Sequence, residues 1–353
     1  MGTKRVAEVR QREIAQLARV SQATVSRVLN NDPQVNEELR QRVLSVMDAL
    51  GYVPDARAQS LRAQRTRLLG LVIHRAPSAL AYDPFFSALI ASIIDQAGRQ
   101  GYHLCVDAAR TVRGQRAIYE ELLRTRRVDG LILVESETRD ERIARLTAEG
   151  FPFVLIGRYE GGRRRGSKAE ALQEEPCSVD NDNVGAARMA TLYLIERGRR
   201  RIGYIGGPAG LTVTRDRLRG YREAIENNGI PYDPQRVAFG EFSEQGGARA
   251  MAELLQSVPP PDAVLALDDV LAIGAMREAQ RRGLRIPEQL AVVGFNDTPL
   301  CNFVEPSLTS VAIDIAGLAR AATQRLIDLI EGHRVEPRRL ILPARLVPRE
   351  SAS

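Results

Sequence analysis

The chain has 353 residues, 44% of them apolar and 27% charged, and a formal net charge of +6. That profile excludes a disordered or fibrous chain and leaves room for a small first domain ahead of a larger body. Residues 1–66 hold 11 Lys/Arg against 7 Asp/Glu, whereas the rest of the chain holds 39 against 37. The excess positive charge is thus concentrated at the N-terminal end, which suits a polyanionic partner there. Cys105, Cys177 and Cys301 lie far apart, and His74, His103 and His333 form no metal-ligand spacing. No metal or cofactor is expected. An odd number of scattered cysteines suits a reducing compartment, the first residues lack the apolar core of a signal peptide, and no apolar run reaches membrane-spanning length. A cytoplasmic location is expected.

The stretch Glu13–Asn30, EIAQLARVSQATVSRVLN, reads as two short helices joined by a tight turn. Ile14, Leu17, Val20, Val25, Val28 and Leu29 recur at helical spacing, while Ala15 and Ala18 are small enough for close helix approach. Ser21 stands where an N-cap belongs. The outward face of the second helix carries Gln22, Ala23, Thr24, Ser26 and Arg27. Hydrogen-bonding groups, one methyl and one guanidinium are what base edges and phosphates need, so this pair reads as a DNA-binding helix-turn-helix. A buried helical hairpin would show the same periodicity. The basic flank, the N-terminal position and the residues that follow argue for the DNA-binding reading.

A third helix is expected over Glu37–Leu50, capped by Asn36, stopped by Gly51 and striped by Leu39, Val43, Val46 and Leu50. Pro54 ends helical structure, and Asp55 can cap a short helix from Ala56 to Arg62 that is too short and polar to hold itself together. From Arg67 onward, apolar runs alternate with amphipathic helical stretches. The expected strands are Leu69–Ile73, His103–Asp107, Gly130–Val134, Phe153–Gly157, Ile202–Ile205, Val264–Leu267 and Leu290–Gly294, with helices such as Phe85–Gln100, Val184–Arg197 and Leu218–Asn228. Such alternation means parallel sheets with crossover helices, in numbers that suit two doubly wound units. Ligands bind at the carboxyl ends of such strands. Those ends carry Phe85 and Phe86, Arg158, Arg215 and Arg217, Phe242, Asp268 and Asp269, and Asn296 and Asp297. Aromatic faces, carboxylates, amides and guanidinium groups together suit a neutral polyol.

The span VSQATVSRVLNNDPQVNEELRQRVLSVMDALGYVP, followed by ARAQSLR, resembles the head and hinge of the lactose-repressor/purine-repressor (LacI/GalR) family of bacterial transcription regulators. DPFF, VDNDNVGAARMATLYLIERGRRRIGYIGGP, RDRLRGYREAI, LDDVLAIGAMR, VVGFND and LPARLVPRES extend the resemblance through the body. It implies an all-α helix-turn-helix head (1–54), a hinge (55–66) and an α/β body (67–353) of two doubly wound parallel-sheet lobes like those of periplasmic sugar-binding proteins. The first lobe would hold 67–160 and 298–330, and the second 176–297 and 331–353. Base reading would fall on Gln22, Ala23 and Arg27, with Thr24, Ser26 and Asn30 on phosphates. In the hinge, Leu61, next to Ser60, would wedge into the minor groove. Effector contacts would fall on Phe85, Phe86, Arg158, Arg217, Phe242, Asp268, Asn296 and Asp297. Three departures are notable: Arg19 replaces the usual turn glycine, Arg10-Gln11-Arg12 replaces the usual Thr cap and apolar residue that open the first helix, and Gln59 removes a potential cation from the hinge. The stretch Gly161–Glu175, longer than the family norm, reads as a charged surface loop.

The function expected is that of a repressor, not an enzyme: a homodimer on pseudo-palindromic double-stranded operator DNA, controlled by a small molecule, most readily a sugar. A transport-type binding protein would have no use for residues 1–62. An enzyme of this fold would need a phosphate loop or nucleophile, and the glycine-rich 203–210 stretch matches no such motif.

Overall fold

The computed structural model describes residues 11–29, 32–52, 65–73, 80, 83–108, 111–138, 140–160 and 175–353. Asn30, Ser60 and Leu61, the hinge helix and most of the Gly161–Glu175 stretch lie outside the described residues. The chain divides into two compact units, Met1–Thr66 and Arg67–Ser353.

In the first unit, α1 (Gln11–Leu17), α2 (Gln22–Leu29) and α3 (Glu37–Ala49) enclose a core of Ile14, Ala15, Ala18, Val25, Val28, Val43 and Met47. Ala15 and Ala18 are buried as their size predicts. Leu17 is not: it is 57% exposed, and Ala18 takes the inward position one residue on. In α3, Met47 is buried with Val43, while Leu39, Val46 and Leu50 are half-buried. Ser21 Oγ accepts the Thr24 amide at 3.1 Å, and Asn36 Oδ1 accepts the Glu38 amide at 2.8 Å, so both expected caps form. Arg19 closes the turn after α1 with φ 53°, the left-handed conformation in which a glycine would be unstrained.

The second unit builds two six-stranded sheets. Among the described residues they are β1 (Leu68–Ile73), β2 (His103–Ala108), β3 (Gly130–Val134), β4 (Phe153–Ile156), β5 (Ser178–Asn181) and β11 (Arg339–Leu342) in one, and β6 (Ile202–Gly206), β7 (Val237–Phe239), β8 (Ala263–Ala266), β9 (Ala291–Asn296), β10 (Thr309–Ile313) and β12 (Ala344–Val347) in the other. Their orders are β11-β5-β4-β3-β1-β2 and β12-β10-β9-β8-β6-β7. Each lobe thus repeats the doubly wound order 2-1-3-4-5, with one strand from the C-terminal end added. Pairing is parallel throughout except for β12, which runs antiparallel to β10. The crossover helices are α4 (Pro84–Arg99), α5 (Val112–Thr125), α6 (Glu141–Ala148), α7 (Asn183–Glu196), α8 (Thr212–Asn227), α9 (Glu244–Leu254), α10 (Asp269–Arg281) and α11 (Ile315–Glu331).

Sheet membership moves the expected lobe boundaries. β5 still belongs to the first sheet, so the chain first crosses at Asp182. Residues 298–313 stay with the second lobe, because β10 pairs with β9, and the return falls at Asp314. α11 then packs on the first sheet, where a Cβ on Gly130 would stand 2.7 Å from Leu326. β11 also remains in the first lobe, and only β12 goes back. The expected lobe order already required three crossings, and the structure moves them to Asp182, Asp314 and the link between β11 and β12. One apolar core runs from Leu69 and Ile132 through Tyr193 and Tyr204 to Phe295 and Val311, so the lobes share buried surface at their hinge.

Candidate functional site

The first unit offers the exposed face of α2. Gln22, Ala23 and Arg27 are exposed, while Thr24 and Ser26 are half-buried. Val25 and Val28 on the opposite side lie in the core, so the helix cannot roll its polar face inward without exposing them. The Thr24 hydroxyl lies 2.9 Å from that of Ser21, which ties it to the cap. Gln22 and Ala23 open the helix and Arg27 stands in its last turn. An N-terminal turn bearing an amide and a methyl, with a guanidinium one turn on, can meet base edges in a major groove.

The second unit holds a cleft between its two sheets that opens to solvent. Every strand end expected to carry ligand chemistry contributes to it. From the first lobe come Asp83 and Phe85 after β1, Glu135 and Ser136 after β3, and Gly157 after β4. From the second come Thr212 at the start of α8, Phe242 after β7, Asp268 after β8 and Asn296 at the end of β9. Two of the acids are held as helix caps: Asp83 Oδ1 accepts the Phe85 amide at 3.0 Å and Asp268 Oδ1 that of Leu271 at 2.7 Å.

Arg217 is the guanidinium of the wall. Its side chain is buried, donates from Nε to Asn183 Oδ1 at 3.0 Å and from Nη1 to the Leu267 carbonyl, and lies 3.5 Å over the Phe295 ring. Burial pushes its pKa down to about 10, and the phenol of Tyr204 and the carboxylates of Asp268, Asp180 and Asp269 oppose that shift. It remains a cation at neutral pH. Asn183 passes the interaction on, donating from Nδ2 to Asp180 Oδ1 at 2.9 Å. Burial raises the Asp180 carboxyl to about 6, with the Asp216 charge adding to the rise. Asn181 Oδ1 is buried in the same wall and has no hydrogen-bond partner among the described residues. An orphaned buried acceptor is costly, and a ligand donor would satisfy it.

Five of the eight expected effector residues therefore meet in the cleft: Phe85, Arg217, Phe242, Asp268 and Asn296. Three do not line it. Phe86 is 1% exposed in the first-lobe core, packed edge-on against Phe85, because the period of α4 turns successive side chains about 100° apart. Arg158 points across to α8, where it pairs with Asp216 and also with Glu160. Asp297 turns away and pairs with Arg349 at 2.7 Å. Arg215 and Arg217 were expected to open a helix at Leu218, but α8 starts at Thr212 and places both within its first turns. Asp180, Asn181, Asn183, Ser136 and Thr212 are wall residues that the strand pattern did not flag. The signal available was the polar run at 180–183 after a short β-compatible segment.

A helix pair with an exposed polar reading face in one unit, and a two-lobed body around a polar cleft in the other, define a ligand-responsive transcription regulator. The chain matches the bacterial regulatory proteins of the lacI family over residues 12–55 and the periplasmic binding protein-like domain over residues 191–352. The HTH-type transcriptional regulator CelR of Thermobifida fusca is 35% identical over 339 residues, covering 96% of both chains. The HTH-type transcriptional repressor CytR of Escherichia coli (strain K12) is 32% identical over 340 residues, covering 96% of this chain and 95% of that one. Among solved structures, the CelR–cellobiose complex superposes with a TM-score of 0.74 at 33% identity, covering 97% of this chain and 99% of that one. The lac repressor dimer bound to operator and the anti-inducer ONPF gives a TM-score of 0.80 at 27% identity, covering 98% and 99%. The chain belongs to the lacI family of bacterial transcriptional regulators. No helix among the described residues is long and apolar enough to cross a membrane.

Proposed function

We propose that this protein is a cytoplasmic, homodimeric repressor whose affinity for a pseudo-palindromic operator is set by a neutral sugar in the cleft. The observation that carries the effector assignment is the composition of the cleft wall. It places Phe85 and Phe242 beside the amides of Asn181, Asn183 and Asn296, with one guanidinium against the carboxyls of Asp83, Glu135, Asp180 and Asp268. Sugar hydroxyls take paired hydrogen bonds from amides and carboxylates, and their C–H faces lie on aromatic rings. An acid-rich wall around one internally paired arginine disfavours phosphorylated or carboxylate ligands. The cellobiose complex of the regulator CelR, 33% identical to this chain, supports the same class of ligand.

Gln22, Ala23 and Arg27 read bases on this proposal, Thr24, Ser26 and Asn30 hold phosphates, and Ser60 and Leu61 engage the minor groove. Two copies are needed because a single eight-residue helix reads too few base pairs. The chain works without catalysis: Asp83 and Asp268 serve as helix caps rather than as an acid/base pair. The test is selection of a duplex from a random library, followed by mobility shifts in a salt series with and without cellobiose, maltose and a sugar phosphate. A selected two-fold-symmetric site whose affinity changes with a neutral disaccharide, and not with the sugar phosphate, is expected. Indifference to all duplexes at low ionic strength would refute the regulator reading, and a response to the phosphate alone would refute the effector class.

A further inference from the structure

Asn296 and Asp297 are consecutive non-glycine residues with φ of 103° and 52°. Side-chain-bearing residues visit that region rarely, and two in succession persist only where neighbours hold them. Asn296 lines the cleft, and Phe295 just before it supports Arg217. From inside the lobe the turn is held by β10 and α10. The Asp297 amide donates to Ser310 Oγ at 3.1 Å, the Thr298 amide donates to Asp269 Oδ2 at 2.7 Å, and Ser310 Oγ donates to Asp269 Oδ1 at 2.6 Å.

From outside it is held by the chain's last residues. Arg349 Nη1 lies 2.7 Å from Asp297 Oδ1, Nε donates to Asn302 Oδ1 at 3.0 Å, and Nη1 donates to the Leu308 carbonyl at 3.0 Å. Arg349 is itself pinned. Its amide donates to Thr309 Oγ1 at 2.8 Å, and its carbonyl accepts from the same hydroxyl at 2.9 Å. Ser351 Oγ donates to the Val292 carbonyl at 2.6 Å, and the Glu350 carboxylate accepts from the Ser307 amide and hydroxyl at 2.8 Å. The residues after the arginine thus grip β9 and the segment entering β10, while β12 before it pairs with β10.

We infer that Arg349 is a positioning residue for the effector: through Asp297 it fixes the turn that presents the Asn296 amide to the cleft and keeps Phe295 beneath Arg217. This rests on the reading of the cleft as the effector site. A guanidinium suits the task because its planar fork serves a carboxylate, an amide and a carbonyl at once, which an ammonium cannot do in fixed geometry.

The test compares wild type with Arg349→Ala, Arg349→Lys and the double variant Arg349→Ala/Asp297→Gly. Cellobiose and maltose affinity is measured by calorimetry, and amide hydrogen exchange is measured on ligand-free protein. Arg349→Ala is expected to bind the disaccharide about tenfold more weakly, with Arg349→Lys in between. The added glycine, which accepts positive φ and removes the orphaned carboxylate, should recover part of the loss. A role confined to global stability would not be rescued in affinity by that glycine. In ligand-free Arg349→Ala, the amides of Asp297 and Thr298 should exchange faster while those of β6 and β8 keep their protection. If wild type binds neither disaccharide, the sugar reading falls, and the exchange of those two amides still decides the role of Arg349. Wild-type exchange in the alanine variant overturns it, as does a wild-type dissociation constant.

Discussion

On the proposed reading of the cleft, Arg217 is both structural and selective. Its buried guanidinium is bound to Asn183 Oδ1 and the Leu267 carbonyl and stacked on Phe295, so truncation leaves two acceptors without a donor. Arg217→Ala should weaken effector binding by about 2–5 kcal/mol, read by calorimetry, while the affinity of the ligand-free protein for its operator stays near wild type. Asp180 behaves differently because its burial cost depends on pH. Its folded pKa of about 6 lies above its ordinary value of 3.8, so the folded state holds the proton more tightly. The resulting stability is fully present below about pH 4 and is lost as pH rises through about 6. Asp180→Asn, neutral at every pH, should therefore gain about 1 kcal/mol relative to wild type between pH 5 and pH 7.5, measured by thermal unfolding across that range. An unchanged difference between the two pH values would show that the carboxyl ionises without strain.

At the scale of elements, α8 does more than supply Arg217. Its N-terminal end meets the first lobe directly. The Thr212 amide donates to the Ser136 carbonyl at 3.0 Å, the two hydroxyls lie 2.9 Å apart, and the Thr138 amide donates to the Gly210 carbonyl at 3.1 Å. One turn on, Asp216 takes the guanidinium of Arg158 from the end of β4, and Arg215 pairs with Glu160 at 2.9 Å. Arg158 and Asp216 are mostly buried, so their pair is screened far less than the exposed pairs along the helices. A double-mutant cycle of Arg158→Ala and Asp216→Ala should return a coupling of about 1–3 kcal/mol in thermal or denaturant unfolding. Additive effects would mean that this pair adds no coupling to the stability of the fold. The close crossing of α8 with α7 depends on Gly220, where a Cβ would stand 2.1 Å from the Val184 carbonyl oxygen.

At the scale of the whole molecule, the body carries a shared core through three crossing segments, so lobe rotation must bend the chain near Asp182, Asp314 and Pro343. A ligand that touches both lobes at once favours one arrangement of that hinge, and it can shift operator affinity only by its differential affinity for the two arrangements. A coupling of about 1–3 kcal/mol is expected, seen as a change of about 5–150-fold in operator affinity at saturating sugar. Linkage requires the operator to shift sugar affinity by the same factor, so titrating sugar into the protein–DNA complex and into free protein checks the value twice. Unequal factors would indicate that the two ligands do not act on one equilibrium.

The amino-acid order determined the helix-turn-helix, its caps at Ser21 and Asn36, and the central strands of both sheets. Each of these rests on local chemistry or on a run of apolar residues buried on both faces. It also marked the strand ends where ligand chemistry gathers, because short polar runs after apolar ones are visible without a fold. The polar strand β5, the late strands β10 to β12 and the positions of the lobe crossings were decided only in three dimensions. SVDN and ARLV carry no continuous apolar run, and they become strands by pairing with distant neighbours. Tertiary structure likewise decided the direction of each side chain at the strand ends. It sent Phe86 into the core, gave Arg158 to the opposite lobe and turned Asp297 toward Arg349, since orientation there follows partners more than fifty residues away, or the phase of a helix packed on its sheet. Sequence patterns report what a residue can do, whereas which residues share one cleft depends on loop closure and packing that couple positions far apart in the chain.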